Sequence, residues 1–295
     1  ITQREHEIES FKPEEYWSIN AKFKNLKSDI LFSRLNIIDN KKVERFSFKN
    51  KKDINEVIEK INKHKYLIKD VSSKIVRRNP SAPFTTSTLQ QTSSGKYGFG
   101  ASRTMQIAQR LYQGIEIEGE TIGLITYMRT DGTNISNEAV KDFRSFIKND
   151  IGKNYLPESP NNFKGKKAKN AQEAHEAIRP TDIKKKPAEM KKYLSSDQFK
   201  LYDLIWSRAL ASQMKSAEFN RNTIQINSDD STIQFISSGS VIKFDGFLKV
   251  YSLQDDDEEK NILPEVKLGE KISIAELIDE QHFTSPPPRY SEASL

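Results

Sequence analysis

The sequence predicts an α+β fold in which a helical zone is inserted between two β-containing parts. Helical spacing of apolar residues dominates 85–214, whereas apolar and polar residues alternate in short segments between 222 and 283. Before the helical zone, the pattern predicts a helix over 53–64 and a strand over 66–76. Because β-type patterns flank the helices on both sides, we expect one β-rich domain to be interrupted by a helical one.

Three helices are predicted inside the zone. The first ends at Gly114, the second begins near Ser136 and ends by Gly152, and the third begins at Ser195 with Gln198 in capping-box position. Their apolar stripes are Met105, Ala108 and Tyr112; Val140, Phe143 and Ile147; and Phe199, Tyr202, Ile205, Trp206 and Ala209.

The β-containing parts are predicted from shorter patterns. Asp53 and Glu56 form a capping-box pattern for the helix over 53–64, and Val57, Ile58 and Ile61 form its apolar stripe. After the helical zone, the predicted strands are 223–226, 232–236, 241–244 and 271–274.

Composition limits the class of protein. The 295 residues are long enough for two or three domains, and 30% of them are charged. No cysteine occurs, which excludes disulfides and thiolate metal sites and is typical of a cytosolic protein. No run approaches the ~20 apolar residues that span a bilayer. The first residues resemble the middle of a helix and the last ones a helix start, so we expect the chain to be part of a longer protein.

Basic residues are clustered although the net charge is only +6. Over 164–186 eight basic and three acidic residues occur, a local excess of +5. Such a run is usually a solvated loop, but clustering is also the pattern that nucleic-acid binding requires.

Residues 123–131 read as an apolar strand that ends in Tyr127, with Arg129 two residues later and Asp131 four residues later. A phenol has an ordinary pKa near ~10 and needs a cation to act as a nucleophile at neutral pH. A guanidinium such as that of Arg129 stays protonated and can bind a phosphate through two hydrogen bonds. A buried strand-end tyrosine beside a solvated arginine is the alternative.

Two further segments carry groups that suit phosphate binding. Residues 83–91 place hydroxyls and amides, including Thr88 and Gln90, between a proline turn and a helix, where they either cap the helix or bind phosphate. Residues 171–181 place His175 and Arg179 one helical turn apart, which predicts a phosphate clamp on one helix face. A structural histidine is the alternative.

An acidic run at 255–259 formally matches an oxygen-rich metal pattern. No apolar strand leads into it, and adjacent carboxylates point in different directions. We interpret it as a solvated acidic loop and assign no metal site to it.

Taken together, these segments resemble the type IA DNA topoisomerases. The resemblance rests on FTTSTLQQ at 84–91, GLITYMRTD at 123–131, AQEAHEAIRPT at 171–181 and PPRYSEASL at 287–295, with supporting matches at 4–5 and 11–17. Met128 and the segment 175–181 are similar to the bacterial topoisomerase I branch; the topoisomerase III branch tends to carry proline at the place of Met128. The blocks cover nearly the whole chain, so the match is specific.

The resemblance implies a mechanism for relaxing negatively supercoiled DNA without ATP. Tyr127 would attack a phosphodiester of single-stranded DNA to form a 5′-phosphotyrosine link, and Arg129 would stabilise the phosphoryl charge. His175 would hold a backbone phosphate and Asp131 would orient Arg129 or a nearby DNA group. Thr130, Arg179, Thr88 and Gln90 complete the implied DNA-binding set.

The resemblance also implies an architecture. The family carries its tyrosine on a helical domain at the end of a β-rich arch, within a multidomain toroid. The expected domains are a partial helical DNA-binding domain at 1–15, an arch at 16–84 and 216–284, a helical domain at 85–215, and the start of another helical segment at 285–295. Hinges are expected near 79–83 and 217–222.

Some family features have no counterpart in this sequence. The Toprim domain, which holds Mg²⁺ and supplies the acid for the leaving 3′-oxygen, is not found, so we expect Mg²⁺ only in the full-length enzyme and no activity from this chain alone. Gly132 stands where the family usually has serine. We expect a cytoplasmic, nucleoid-associated protein with single-stranded and negatively supercoiled DNA as partners.

Two other functions fit parts of the sequence. A non-catalytic module for single-stranded DNA or gating would use aromatic and basic surface without chemistry at Tyr127. A recombinase or type IB topoisomerase would surround the tyrosine with dispersed Arg and His residues in an all-helical domain. The β-rich second half argues against the last of these.

Overall fold

A computed structural model of the protein describes residues 1–163, 176–252 and 262–292, which form two compact units. The first unit contains Ile1–Val76, Phe219–Lys243 and the described part of 254–289. The second contains Arg77–Glu218, 244–252 and 290–292. The mixed α+β class is confirmed.

The first unit consists of two helices and a large sheet. The helices are α1 (Thr2–Glu9) and α2 (Lys51–Asn62). The strands are β1 (Glu15–Lys24), β2 (Ile30–Ile38), β3 (Lys41–Lys42), β4 (Tyr66–Arg78), β7 (Ala217–Ser228), β8 (Gln234–Phe244) and β9 (Lys271–Phe283).

Six of these strands close into a ring. Their order is β1-β9-β4-β7-β8-β2, and β1 also pairs with β2, so that the first and last strands of the order are joined. The β1–β9 ladder is antiparallel from Glu15↔Phe283 to Lys24↔Ser273, with a bulge after Lys22. The two-residue β3 pairs with the end of β2 outside the ring.

The core of the first unit lies between the ring and α2. Alternate residues of β1 and β2 are fully buried, as the period of two in a half-buried strand requires. Phe23, Tyr66 and Phe235 meet edge to face with ring centroids 5.1–5.9 Å apart. Helix α2 contributes Ile54 and Ile61, which are both fully buried.

The second unit is mainly helical. Its helices are α3 (Thr86–Tyr97), α4 (Ala101–Gln113), α5 (Asn137–Phe146), α6 (Pro187–Met190) and α7 (Ser196–Ser212), and α5 continues as a π-helical turn over Ile147–Ile151. A small hairpin, β5 (Ile115–Ile117) with β6 (Glu120–Ile122), follows α4. Helix α7 packs against α4 and carries nine buried residues, so it forms the centre of this unit.

The predicted helices of the second unit are confirmed. Ser136 caps α5 by accepting from the Ala139 N–H, and Ser195 and Gln198 form the expected capping box of α7. Helix α4 ends at Gly114. Its buried face differs from the prediction, however. Thr104, Ile107, Ala108 and Leu111 are buried, whereas Met105 is half-buried and Tyr112 is 40% exposed.

Three other predictions are corrected. Helix α2 begins earlier than predicted because Asn50 is its cap and accepts from the Asp53 N–H at 3.0 Å, so the Asp53–Glu56 capping box is wrong. The predicted strands 232–236 and 241–244 belong to one strand, β8. Residues 15–42 form three strands where no strand was predicted. The strand over 66–76 is confirmed as part of β4.

Within the described ranges, every helix is too short or too polar to cross a membrane.

Candidate active site

Tyr127 and Arg129 are exposed residues that alternate with buried ones in one backbone segment. Ile125 and Met128 are each 1% exposed, whereas Tyr127 is 50% exposed and Arg129 is also exposed. The segment 123–131 is not the strand that the sequence predicted. Its only strand-type pairing among the described residues is the isolated bridge between Ile125 and Pro180. The extended conformation is held by loop and helix contacts instead.

The functional groups of these two side chains are available to a ligand. Among the described residues, the Tyr127 hydroxyl has no hydrogen-bond partner and the Arg129 guanidinium has no ion-pair partner. The Tyr127 ring is in edge contact with Tyr112, with centroids 5.3 Å apart and planes at 64°. A half-exposed phenol and a nearby unpaired cation are the groups that a phosphate diester would meet.

The start of α3 holds one side of this segment. The Thr86 hydroxyl donates to the Met128 carbonyl at 2.7 Å and accepts from the Thr130 N–H at 2.8 Å. The Thr86 N–H donates to the Thr130 carbonyl at 2.9 Å. Three hydrogen bonds from one threonine therefore fix the backbone on both sides of Arg129.

The hydroxyls of 85–88 also cap α3. Thr85 accepts from the Thr88 N–H at 3.3 Å, and the Thr88 hydroxyl accepts from the Thr85 N–H at 2.9 Å. This is the alternative that the sequence left open for these hydroxyls. Thr88 is exposed and Gln90 is half-buried on the same helix, and their contact with DNA stays a prediction.

Residues 176–181 hold the other side of the segment. The Thr126 N–H donates to the Arg179 carbonyl at 2.9 Å, and the Thr126 hydroxyl donates to the Ala177 carbonyl at 2.8 Å. The Arg179 N–H returns a bond to the Thr126 hydroxyl at 3.0 Å. Tyr127 thus follows a residue whose backbone and side chain are both engaged.

The predicted helix face with His175 and Arg179 is wrong for the described residues. From 176 to 180 the chain is extended and bridges alternately, with Glu176 to Asn134, Ile178 to Phe84 and Pro180 to Ile125. In extended backbone, residues four apart share a face but lie about 13 Å apart rather than one helical turn apart. His175 lies outside the described residues, and its role stays a prediction.

The Arg179 side chain is largely buried, with 12% exposure, and forms a two-point ion pair with Glu176. Its Nε donates to Oε1 at 2.7 Å and a terminal nitrogen donates to Oε2 at 3.1 Å. Glu176 also accepts from the Ser136 N–H at 2.8 Å. Partial burial raises the pKa of Glu176, but the bonds from Arg179 and Ser136 outweigh it and hold the pKa below its ordinary value. This geometry favours a structural role for Arg179 over direct DNA contact.

Thr130 and Asp131 differ in exposure. Thr130 is 8% exposed, and its hydroxyl accepts from the Gly132 N–H at 2.9 Å, whereas Asp131 is exposed. Gly132 has no positive φ, so its backbone does not require glycine.

Sequence reasoning missed two residues of the site. Arg208 on α7 donates from Nε to the Ala82 carbonyl at 2.7 Å and lies over the Phe84 ring at 5.0 Å, just before α3. Nothing local to Arg208 in the sequence indicates this contact. Tyr112 was assigned to the apolar face of α4, although it follows Leu111 and so lies about 100° away around the helix.

The described residues near Tyr127 do not fit a magnesium site. Mg²⁺ prefers several oxygen ligands, and Asp131 is the one carboxylate of the motif. The group of possible ligands that the described residues do bring together is His64, Asp229 and Asp230 in the first unit. There Asp230 already accepts from Ser228 and Thr232, which lowers its pKa to about 2. The acidic run 255–259 lies outside the described residues.

Comparison with known proteins shows the family of the chain. A family model for DNA topoisomerase matches residues 1–295, so the chain belongs to that family. It is similar to DNA topoisomerase 1 of Rickettsia felis (47% identity over 298 residues, 100% of this chain) and of Xylella fastidiosa (42% over 306 residues, 100% of this chain). Within the family, the chain belongs to the type IA group and to its bacterial topoisomerase I branch.

The comparison with solved structures also covers nearly the whole of this chain. The solved full-length topoisomerase I of Thermotoga maritima matches 99% of this chain with a TM-score of 0.79 and 33% identity, over 44% of its own chain. The present chain spans 38% of the Rickettsia felis protein and 37% of the Xylella fastidiosa protein.

Proposed function

We propose that Tyr127 is the nucleophile of a topoisomerase that relaxes negatively supercoiled DNA by transient cleavage of one strand. The observation that carries the proposal is the contrast within 123–131: the backbone is fixed on both sides, and the Tyr127 phenol and the Arg129 guanidinium are left without partners among the described residues. Such a preorganised pair needs little rearrangement when a phosphate arrives.

The chemistry follows from these two groups. The Tyr127 hydroxyl gives up its proton to water, and its oxygen forms a bond to the phosphorus while the bond from phosphorus to the 3′-oxygen breaks, which gives a 5′-phosphotyrosine link and a free 3′-hydroxyl. Arg129 stabilises the negative charge on the phosphoryl oxygens of the transition state. The ester conserves the bond energy, so reversal reseals the strand without ATP. The proton for the 3′-oxygen and any bound Mg²⁺ come from other parts of a full-length enzyme.

We assign the other predicted residues roles around the cleaved phosphate. Asp131, Thr130, Thr88 and Gln90 contact DNA or orient Arg129, and His175 holds a neighbouring phosphate. Arg179 acts through Glu176 and the backbone of 176–181. The substrate is single-stranded DNA within a negatively supercoiled chromosome, so we infer that the protein acts in the cytoplasm.

The expected larger motion belongs to the same proposal. The helical unit carries the tyrosine and the first unit corresponds to the arch of a toroid that opens a gate for the passing strand. The ring of paired strands supports this role because a closed sheet resists bending.

The decisive experiment is to replace the corresponding part of the Rickettsia felis enzyme with this chain. We expect the chimera to form a covalent adduct with a labelled single-stranded oligonucleotide, and Tyr127→Phe to abolish it. Tyr193→Phe is the matched control, since it removes a tyrosine hydroxyl from the same unit at a place outside the motif. An adduct that persists in Tyr127→Phe contradicts the nucleophile assignment.

The chain alone should neither relax plasmid DNA nor form the adduct, because the acid for the leaving oxygen is expected elsewhere. Relaxation by the purified chain would refute this. If the chimera binds single-stranded DNA in a salt-dependent way but never forms an adduct, the non-catalytic gate module becomes the better interpretation.

A further inference from the structure

Tyr112 forms an aromatic pair with the proposed nucleophile. Its ring lies in the last turn of α4, 5.3 Å from the Tyr127 ring and at 64° to it. The two rings are 40% and 50% exposed. The two residues therefore form a small exposed aromatic surface beside the proposed nucleophile.

Backbone contacts fix the position of Tyr112. The Leu124 N–H donates to the Leu111 carbonyl at 2.8 Å, which joins the end of α4 to the start of the tyrosine segment. Gly123 packs so closely that a Cβ there would lie 2.6 Å from the Tyr112 carbonyl oxygen. Any nucleotide placed at Tyr127 therefore meets Tyr112 in a reproducible position.

Tyr112 is not needed for the packing of α4. The buried face of this helix consists of Thr104, Ile107, Ala108 and Leu111. The Tyr112 hydroxyl has no hydrogen-bond partner among the described residues. A large, half-exposed aromatic side chain with its polar end unpaired is suited to contact a ligand.

We propose that Tyr112 stacks on an unpaired nucleobase next to the phosphate that Tyr127 attacks. This inference rests on the proposed function, which brings single-stranded DNA to Tyr127. Stacking on an aromatic ring is available to every base, so the subsite is expected to tolerate any base. The stacking subsite holds the DNA strand on one side of the nucleophile, in addition to the binding of the phosphate by Arg129.

Photocrosslinking tests the subsite directly. We use the chimera in a Tyr127→Phe background, so that binding is not followed by cleavage, with single-stranded oligonucleotides that carry 5-iodouracil at successive positions. One position next to the cleavage site should crosslink to Tyr112, as mapped by mass spectrometry. Absence of a Tyr112 crosslink at every position overturns the proposal.

Affinity provides the second readout. Tyr112→Leu should weaken binding about tenfold, the effect expected for one lost stack, and Tyr112→Phe should restore most of the affinity because the ring is retained. Tyr193→Leu, which removes a tyrosine ring elsewhere in the unit, should bind as the parent does. Melting temperatures of all variants show whether a loss arises from unfolding.

The two proposals fail in different ways. If the chimera with Tyr127 intact forms no adduct, the proposed function fails. If the adduct forms but Tyr112→Leu binds DNA as tightly as the parent, the stacking subsite is refuted while the nucleophile stands. Equal losses of DNA affinity in Tyr112→Phe and Tyr112→Leu also refute stacking. They would mean that binding depends on the Tyr112 hydroxyl and not on its ring.

Discussion

Thr86 and Thr130 are joined by a reciprocal pair of hydrogen bonds. The Thr86 N–H donates to the Thr130 carbonyl at 2.9 Å, and the Thr130 N–H donates to the Thr86 hydroxyl at 2.8 Å. One residue belongs to the first turn of α3 and the other to the segment that carries Arg129. The helix start is therefore a fixed support for the cationic part of the site.

Replacing Thr86 with valine keeps the shape of the side chain and removes this support. The Thr130 N–H, on a residue that is 8% exposed, loses its acceptor, so we expect a loss of about 1–3 kcal/mol in the free energy of unfolding. Adduct formation in the chimera should fall as Arg129 loses its fixed position. Urea unfolding and adduct yield are the measurements. Ser87→Ala, at an exposed neighbouring hydroxyl, should change stability by less than about 0.5 kcal/mol, and an equal loss in both variants would contradict the specific role of Thr86.

The Glu176–Arg179 pair should make stability depend on acid pH. Because the folded state holds the Glu176 pKa below its ordinary 4.5, the stabilisation is fully present above that value and is lost as the pH falls through the lowered pKa. Glu176→Gln should destabilise the protein at pH 7 by about 1–2 kcal/mol and reduce the acid-dependent loss. Urea unfolding at pH 7 and pH 3.5 tests this. Glu138→Gln, an exposed carboxylate in the first turn of α5, is the control, and an unchanged pH profile for Glu176→Gln would refute the prediction.

Two glycine substitutions should act in opposite directions. Gly123→Ala places a Cβ 2.6 Å from a backbone oxygen that belongs to α4, so we expect a loss of about 1–3 kcal/mol and a displaced Tyr112. Gly95 lies inside α3 with nothing within 4 Å of its Cβ position, so Gly95→Ala should stabilise the protein by about 0.5–1 kcal/mol. Melting temperatures of the two variants test both expectations. Equal shifts of the same sign would mean that the close approach at Gly123 is not formed in solution.

Arg208 on α7 is expected to position the start of α3 through its contacts with the residues just before that helix. Its Nε donates to the Ala82 carbonyl at 2.7 Å and a terminal nitrogen donates to the Tyr251 hydroxyl at 3.2 Å. Arg208→Met should cost about 2 kcal/mol in stability and lower the rate of adduct formation more than the affinity for DNA. Arg110→Met, at an exposed position on α4, is the control. Unchanged adduct kinetics in a folded Arg208→Met would remove Arg208 from the site.

The sequence predicted the helices well because their signals are local. Helices α5 and α7 begin after Ser136 and Ser195, whose hydroxyls cap them, and Gln198 completes the capping box of α7. Helix α4 ends at Gly114, which has a φ of +128°. The cap of α2 was missed since Asn50 and Asp53 both suit that place, and only the backbone decides between them.

The site geometry was harder to predict because it depends on contacts between distant segments. The spacing of His175 and Arg179 suits a helix, but Pro180 and the bridges of Ile178 and Glu176 impose an extended chain. Apolar residues up to Ile125 suit a strand, yet partners come from α3 and 176–181 rather than from a sheet. The motif therefore predicted the proposed reactive residues, Tyr127 and Arg129, but not the contacts that hold the backbone around them.

The closed ring of the first unit has a consequence for the order in which the protein folds during synthesis. Strand β1 pairs with β9, as Glu15 does with Phe283, so the ring stays open until the ribosome has delivered β9. At about 5–20 residues per second, β1 waits roughly 10–50 s for its partner, while the helical unit emerges complete in between. Of the two units, the one whose first strand is made earlier is thus the last to be finished.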